Sequence, residues 1–434
     1  MKLTAHLGTI SWSLADKLLY VAYGIVQLQQ INALGPVEYG LFSLLLGLNT
    51  WIMIVTDGSA LQGIIQFGVR QQERPRVHVI AAALHCGIVG VAVALIFALQ
   101  GPLSDILYQP RFASVASMLP VFALLSIPRQ FCLKLLYRDM RMKELFIADA
   151  VWFGSRTILT FWLFGKGASF TFEDIILIDF TGMGMSSAVS VWLTRRQLTF
   201  GRVPGIALKE YLRFGVPLAV ATGLNSIPRQ LDVLIIQSFF GTATVGVYNS
   251  AKTFYRLYEQ AFDAAVTLMN SAAVRMVAQR RIDDLRILAT KGISFTLVPT
   301  ILSVVLIQLG AGSAIVWILP KFGEAVGHFT VLSLAALAQP LMLMSTIMMA
   351  MGRNTDIVRF SAIAMVSSLV TLIAIGYAGW EDWIGLGMVA NNVIIGFLCV
   401  AFVRREIQFP WKLLLRAFAD ISSAIQRLKT KVFP

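Results

Sequence analysis

The sequence predicts an all-α polytopic membrane protein, and three observations carry that prediction: an apolar composition, apolar blocks of spanning length, and positive charge confined to alternate loops. Of 434 residues, 57% are hydrophobic and 14% charged, and the mean hydropathy is +0.73. A soluble chain carries about a quarter charged residues. The blocks reach the roughly 20 residues that a helix needs to cross a bilayer at about 1.5 Å per residue. Backbone groups in lipid must be satisfied internally, which leaves a helical bundle or a closed barrel. The blocks are continuous in Leu, Ile, Val, Ala and Met, without the dyad alternation of a barrel. The bundle follows.

About twelve spans are expected, near 10–31, 40–63, 79–99, 113–133, 146–165, 174–194, 211–237, 246–272, 290–311, 328–350, 357–378 and 384–403. The first follows a single early lysine without a small-residue cleavage site, so it reads as an uncleaved span. Loops on one side carry Arg70, Arg74 and Arg76, then Lys134, Arg138, Arg141 and Lys143, then Arg195, Arg196, Arg202 and Lys209. The same side continues with Arg275, Arg280, Arg281, Arg286 and Lys291, then Arg353 and Arg359. The opposite loops offer Arg111, Lys166 and Lys321. Positive charge stays on the cytoplasmic side, so both termini are expected there, with an even number of spans. In a bacterium the membrane is the inner one. The asymmetry accounts for most of the net charge of +13, and nucleic-acid binding is set aside. The far-side loops are too short to hold a catalytic domain. Residues 404–434 read as a basic amphipathic helix, with Trp411, Leu414, Leu415 and Phe418 on its apolar side, lying on anionic membrane lipid. Cys86, Cys132 and Cys399 lie in apolar blocks, and the four histidines have no ligand spacing, so no disulfide or metal framework is expected.

The chain repeats itself. Gly35-Pro-Val-Glu-Tyr-Gly40-Leu-Phe-Ser43 follows span 1, and Gly241-Thr-Ala-Thr-Val-Gly246-Val-Tyr-Asn249 follows span 7. Pro110-Arg-Phe112 before span 4 is matched by Pro320-Lys-Phe322 before span 10, and Pro128 and Arg141 by Pro340 and Arg353. Three matches in one order predict two six-helix lobes of like orientation, related by an axis along the membrane normal. The expected partition is 1–195 for the first lobe, 196–210 for a cytoplasmic linker, 211–403 for the second lobe and 404–434 for the tail. An identical Ser-Ile-Pro-Arg-Gln at 126–130 and 226–230 falls in spans that are not repeat partners, and reads as coincidence.

Ionisable groups in a span are costly and mark cavities or pairs. In span 8, Asn249, Lys252, Arg256, Glu259, Asp263, Thr267 and Asn270 share one helical face. Span 1 has Ser13, Asp16, Tyr20, Tyr23, Gln27 and Gln30 in a similar stripe, and span 7 has Thr222, Asn225, Arg229 and Asp232. One reading is a water-filled cavity between the lobes, in which Arg229, Lys252 and Arg256 bind an anionic headgroup. Asp16, Tyr20, Tyr23, Gln27, Gln30, Asn225, Asn249 and Asn270 would line it, the Tyr and Gln side chains meeting sugar hydroxyls. Asp232, Glu259 and Asp263 would pair with the cations or exchange a proton. The competing reading is structural ion pairs such as Lys252–Glu259 or Arg256–Asp263; Arg129 and Arg156 are open to both, and Asp179, close to Thr181 and Gly182, is expected to hydrogen-bond within its own bundle. Pro217 and Pro228 in span 7, with Gly215 and Gly223, would permit bending. The methionines at 342, 344, 348, 349 and 351 read as adaptable packing. No nucleotide-binding loop, nucleophile–His–acid set or metal cluster appears. The chain reads as a transporter without a cofactor, driven by a proton or sodium gradient or by downhill flow.

Leu34-Gly-Pro-Val-Glu-Tyr-Gly-Leu-Phe-Ser43 resembles the signature after the first span of polysaccharide flippases, in the multidrug/oligosaccharidyl-lipid/polysaccharide exporter superfamily. Leu231-Asp-Val-Leu-Ile-Ile236, through Gly241 to Val247-Tyr-Asn-Ser-Ala251, is similar to the second-half counterpart, and Ile384-Gly-Leu-Gly-Met-Val-Ala390 to the entry of the last core span. The resemblance covers nearly the whole chain. It implies a V-shaped alternating-access transporter for an undecaprenyl-pyrophosphate-linked oligosaccharide, working beside polysaccharide polymerase and assembly proteins. Arg229, Lys252 and Arg256 are placed against the pyrophosphate by the stripes, not by alignment to family positions. The alternative is a multidrug exporter of the same superfamily, whose cationic substrates would want spare carboxylates. A lipid II flippase usually has extra spans, for which this chain has no length. A membrane-embedded glycosyltransferase would need an extracytoplasmic loop or an aspartate-rich motif, and a scaffold would not need the stripes.

Overall fold

The computed structural model describes residues 7–68, 70–167, 170–201 and 203–408, and every regular element among them is helical. The elements are α1 (Leu7–Leu34), α2 (Pro36–Thr56), α3 (Gln62–Phe67), α4 (Arg74–Ala98), α5 (Gln100–Ile106), α6 (Phe112–Arg138), α7 (Met142–Gly165) and α8 (Phe172–Thr194). They continue with α9 (Leu208–Phe240), α10 (Thr242–Ala278), α11 (Ile282–Ile318), α12 (Ala325–Ala336), α13 (Gln339–Met342), α14 (Met344–Ala350), α15 (Asn354–Ala378) and α16 (Leu386–Ile407). Each of the twelve expected spans falls on one helix or one run of helical segments. The tail expected at 404–434 enters α16 at its start, and 409–434 lie outside the described residues.

Among the described residues, eight helical runs are long and apolar enough to cross a membrane by themselves. The remaining expected spans are α1, α7, α9 and α10, which carry Asp16 and Lys17, Asp149 and Arg156, Asp232, and Lys252 through Asp263. Ionisable groups lower their hydropathy, yet they are held among neighbours of spanning length. The chain is a multi-pass membrane protein.

Local chemistry explains the breaks. Between α2 and α3 the helix widens into a π-turn over Asp57–Leu61, which alters the carbonyl pairing of the ladder. There Tyr211 of α9, fully buried, donates its hydroxyl to the Ala60 carbonyl at 2.5 Å. Gly63 faces the Tyr211 ring and Gly215 the Ser59 backbone, so neither position has room for a Cβ. Span 10 is interrupted at Gln339-Pro340, where proline opens the short α13 because it lacks the N–H that would continue the preceding helix.

The chain forms two compact units, Met1–Gly246 and Val247–Pro434. The first includes α9, which packs along α2. It also holds the segment expected as a linker. Arg76 Nε donates to the Ile206 carbonyl at 2.9 Å, His78 Nδ1 lies 2.8 Å from the Thr199 carbonyl, and Phe200 stacks on Phe131. In the second unit, Met269, Met344 and Met348 pack with Ile293, Leu343, Ile347 and Cys399 in a fully apolar core. Flexible thioethers fill its gaps.

Candidate functional site

Within the first unit the polar residues of α1 meet those of α6, α7 and α8 in two layers. In one, Arg129 donates Nε to Ser186 Oγ at 2.9 Å, pairs with Asp149, and lies 4.3 Å over the Trp152 ring. Asp16 faces Asp149 in the same group, and its Oδ1 is buried with no hydrogen-bond partner among the described residues. In the other, Arg156 pairs with Asp179 and lies 4.5 Å over Tyr23 and 5.3 Å from Trp152. Tyr23 donates to Gln30 Oε1 at 3.2 Å, and Gln30 Nε2 donates to Thr160 Oγ1 at 2.6 Å. Tyr20 stands edge-on to Phe153, and Gln27 is half-buried. Trp152 thus separates two guanidiniums, each neutralised by its own carboxylate. A buried charge requires such a partner, and here the partners tie α6 to α7 and α7 to α8. Arg129 and Arg156, open to either reading in the sequence, serve packing within this unit.

The stripe of α10 is different in kind. Asn249 and Lys252 are buried, and the Lys252 ammonium lies 5.6 Å from the centre of the Tyr248 ring. Arg256, Glu259 and Asn270 are half-buried and Asp263 is exposed. Steps of three and four residues from Asn249 to Asp263 keep all five on one face. Asn249 Nδ2 is buried and has no hydrogen-bond partner among the described residues. On α9, Asp232 is buried, and its Oδ1 accepts the Val233 amide at 2.8 Å. The side chains of Asn225 and Arg229 lie outside what the structure describes. The structure therefore groups Tyr23 and Gln30 with Arg156, groups Asp16 with Asp149, and aligns the α10 set along one helix.

Several participants were missed by sequence reasoning. Asp149, Trp152 and Thr160 recur with Arg156, which the sequence had singled out alone, on one face of α7 at the spacing of a polar stripe, a signal as readable as that of span 1. In the second unit, the buried Tyr255 hydroxyl accepts from Gln339 Nε2 at 3.0 Å and Asn392 Nδ2 at 3.1 Å. Asn392 also reaches the Ala335 carbonyl at 3.3 Å. These bonds fix α10 to α13 and α16 at Tyr255, in the turn between Lys252 and Arg256. Gln339 is a single polar residue and Asn392 one of an adjacent Asn391–Asn392 pair in otherwise apolar spans, and no spacing rule links them to Tyr255.

A family model described as polysaccharide biosynthesis protein matches residues 33–319. No curated protein matches the chain. Among solved structures, the fold is similar to an inward-facing multidrug resistance MATE family transporter of the MOP superfamily, at a TM-score of 0.76 and 16% identity over 91% of this chain and 94% of that one. It is also similar to the lipid II flippase MurJ in an inward closed conformation, at a TM-score of 0.70 and 14% identity over 97% and 93%. A third is a MOP superfamily transporter from Pyrococcus furiosus, whose binding pocket is described as of reverse polarity, at 0.61 and 15% over 92% and 94%.

Proposed function

The chain belongs to the polysaccharide biosynthesis protein family, and from that premise we propose that it is a flippase of the bacterial inner membrane. It carries an undecaprenyl-pyrophosphate-linked oligosaccharide repeat unit from the cytoplasmic to the periplasmic leaflet, with both termini in the cytoplasm. The observation that carries the reading is the α10 face, where Lys252 and Arg256 stand one turn apart beside Asn249. Arginine grips phosphate oxygens as a fork and lysine acts as a point charge. Asn249, with a buried amide awaiting an acceptor, suits a sugar or phosphate oxygen. Glu259, Asp263 and Asp232 balance these charges or exchange a coupling proton or sodium ion as the protein cycles. Polymerase and assembly proteins would take the product on the far side.

The similarity to the multidrug transporter supports a second reading, a small-molecule exporter. A cationic drug calls for carboxylates that outnumber the cations, and the α10 face sets Lys252 and Arg256 against Glu259 and Asp263, two of each sign. The test is depletion in the native host, followed by a membrane-impermeant glycan-modifying reagent applied to inner-membrane vesicles. Lipid-linked repeat units trapped on the cytoplasmic face, with loss of surface polysaccharide, are expected. Unchanged sidedness with new sensitivity to cationic dyes would transfer the assignment to the drug exporter.

A further inference from the structure

The second unit buries a histidine that the transport reading has not used. His328 lies on the first turn of α12, is 1% exposed, and its Nδ1 has no hydrogen-bond partner among the described residues. Buried polar atoms are nearly always bonded, so one that is not calls for a role. The short turn Glu381–Trp383, which leads into α16, packs against α12. Its Glu381 and Asp382 carboxylates act on the imidazole, and a Cβ on the neighbouring Gly327 would stand 3.6 Å from Asp382 Oδ1. Glu381 is half-buried and Asp382 exposed, so the pair reaches from the imidazole to water. Trp317, Tyr377, Trp380 and Trp383 are exposed around this end of the unit, and rings of this kind gather at the membrane–water boundary.

The imidazole also meets α10. Its ring and that of Tyr248 stand edge to face, with centres 6.0 Å apart and planes at 87°. The Lys252 ammonium lies 5.6 Å from the centre of the same Tyr248 ring, and both residues are buried. One ring is thus shared between His328 and the first cation of the α10 face. Other charges on the surrounding elements are few. Lys321 and Glu324 precede α12 and are exposed, α11 carries no charge after Lys291, α13 carries none, and α16 none before Arg404.

We propose that His328 is a proton-binding site reached from the outer face past Glu381 and Asp382, and that the Tyr248 ring links its protonation to the grip of Lys252 on an anionic headgroup. The outer face and the anion are taken from the flippase reading. Burial opposes a charge on the imidazole, and nearby carboxylates favour one. Protonation takes one proton from water and leaves an imidazolium that Glu381 and Asp382 balance. That cation and the Lys252 ammonium then stand no more than about 12 Å apart across one ring. At an effective dielectric constant of about 20, their repulsion amounts to about a tenfold change in proton affinity. An anion that neutralises Lys252 lifts this repulsion, so anion and proton favour each other's binding, each by the same factor. Release of the headgroup therefore depends on the pH at the outer face, and is easiest once His328 has lost its proton.

The test follows the imidazole signals of the full chain in lipid nanodiscs, isotopically labelled at its four histidines. The titration runs from about pH 4 to about pH 8, to either side of the ordinary histidine value, and His328→Gln assigns the signal. His328 is expected to titrate, with a midpoint that falls in the double variant Glu381→Gln, Asp382→Asn and rises by about one pH unit in Lys252→Met. A ring that keeps one state across the range, or a midpoint that either change leaves in place, would overturn the proposal. Saturating inorganic pyrophosphate should raise the wild-type midpoint in the same direction as Lys252→Met, and should leave that of Lys252→Met where it is. If Lys252→Met moves the midpoint and pyrophosphate does not, the flippase reading falls and the link between His328 and Lys252 stands.

Discussion

Removal of one partner from the Arg156–Asp179 pair tests whether charge inside the first unit serves packing or transport. The side chains are 7% and 4% exposed, so the rule for surface pairs, about 0–1 kcal/mol, does not apply. Asp179→Ala leaves the Arg156 guanidinium buried against Tyr23 and Trp152 without a counter-charge, and such a break costs about 3–5 kcal/mol. The two rings retain about 0.5–2 kcal/mol of cation–π attraction, which keeps the cost towards the lower end of that range. Arg156→Met combined with Asp179→Leu removes both charges and fills the volume, so the double variant should return to within about 1 kcal/mol of the parent, or exceed it. Unfolding in detergent, followed by tryptophan fluorescence across the four-member mutant cycle, reads the coupling directly. A cost below about 1 kcal/mol for Asp179→Ala would place the pair in water rather than in the protein interior. A double variant that is stable yet translocates tenfold more slowly would refute the packing role and return Arg156 to the substrate path.

Two further predictions concern groups outside that pair. Arg256→Ala and Lys252→Ala should each abolish translocation while expression and folding stay near normal, as read by membrane yield and detergent melting; wild-type rates would remove the α10 face from the transport path. At the end of α6, Arg138 grips Asp139 of the following loop through Nε and a terminal nitrogen at 2.9 and 3.0 Å. That guanidinium holds the Asp139 carboxyl below its ordinary range. A depressed folded-state value adds stability above the unfolded-state value, and the gain is lost as pH falls through the folded one. Acid titration of thermal stability should therefore show a decline below about pH 4 that Asp139→Asn flattens; identical profiles would show that the contact makes no difference between the folded and unfolded states.

Helix positions were legible because a span is a local property: its length is fixed by the bilayer and its register by 3.6 periodicity. The repeat was legible too, since Gly35 and Gly241 solve one local problem, a helix joint at positive φ. The contact between its two copies was not, because the meeting of Gly40 with Thr242 joins residues about two hundred positions apart. The polar stripes divide along the same line. A stripe on one helix announces that something polar lies opposite, without naming it. On α1 that something is the α7 face of Asp149, Arg156 and Thr160, which the sequence carried in plain periodicity. On α10 the network round Tyr255 draws on single residues from α13 and α16, for which no periodicity exists. The two stripes therefore mean different things. That of α1 is met in large part by α7, with ionic and hydrogen-bonded partners inside one compact unit. That of α10 runs from buried Lys252 through exposed Asp263 to half-buried Asn270, and under the proposed function its exposed stretch is where a charged headgroup would enter.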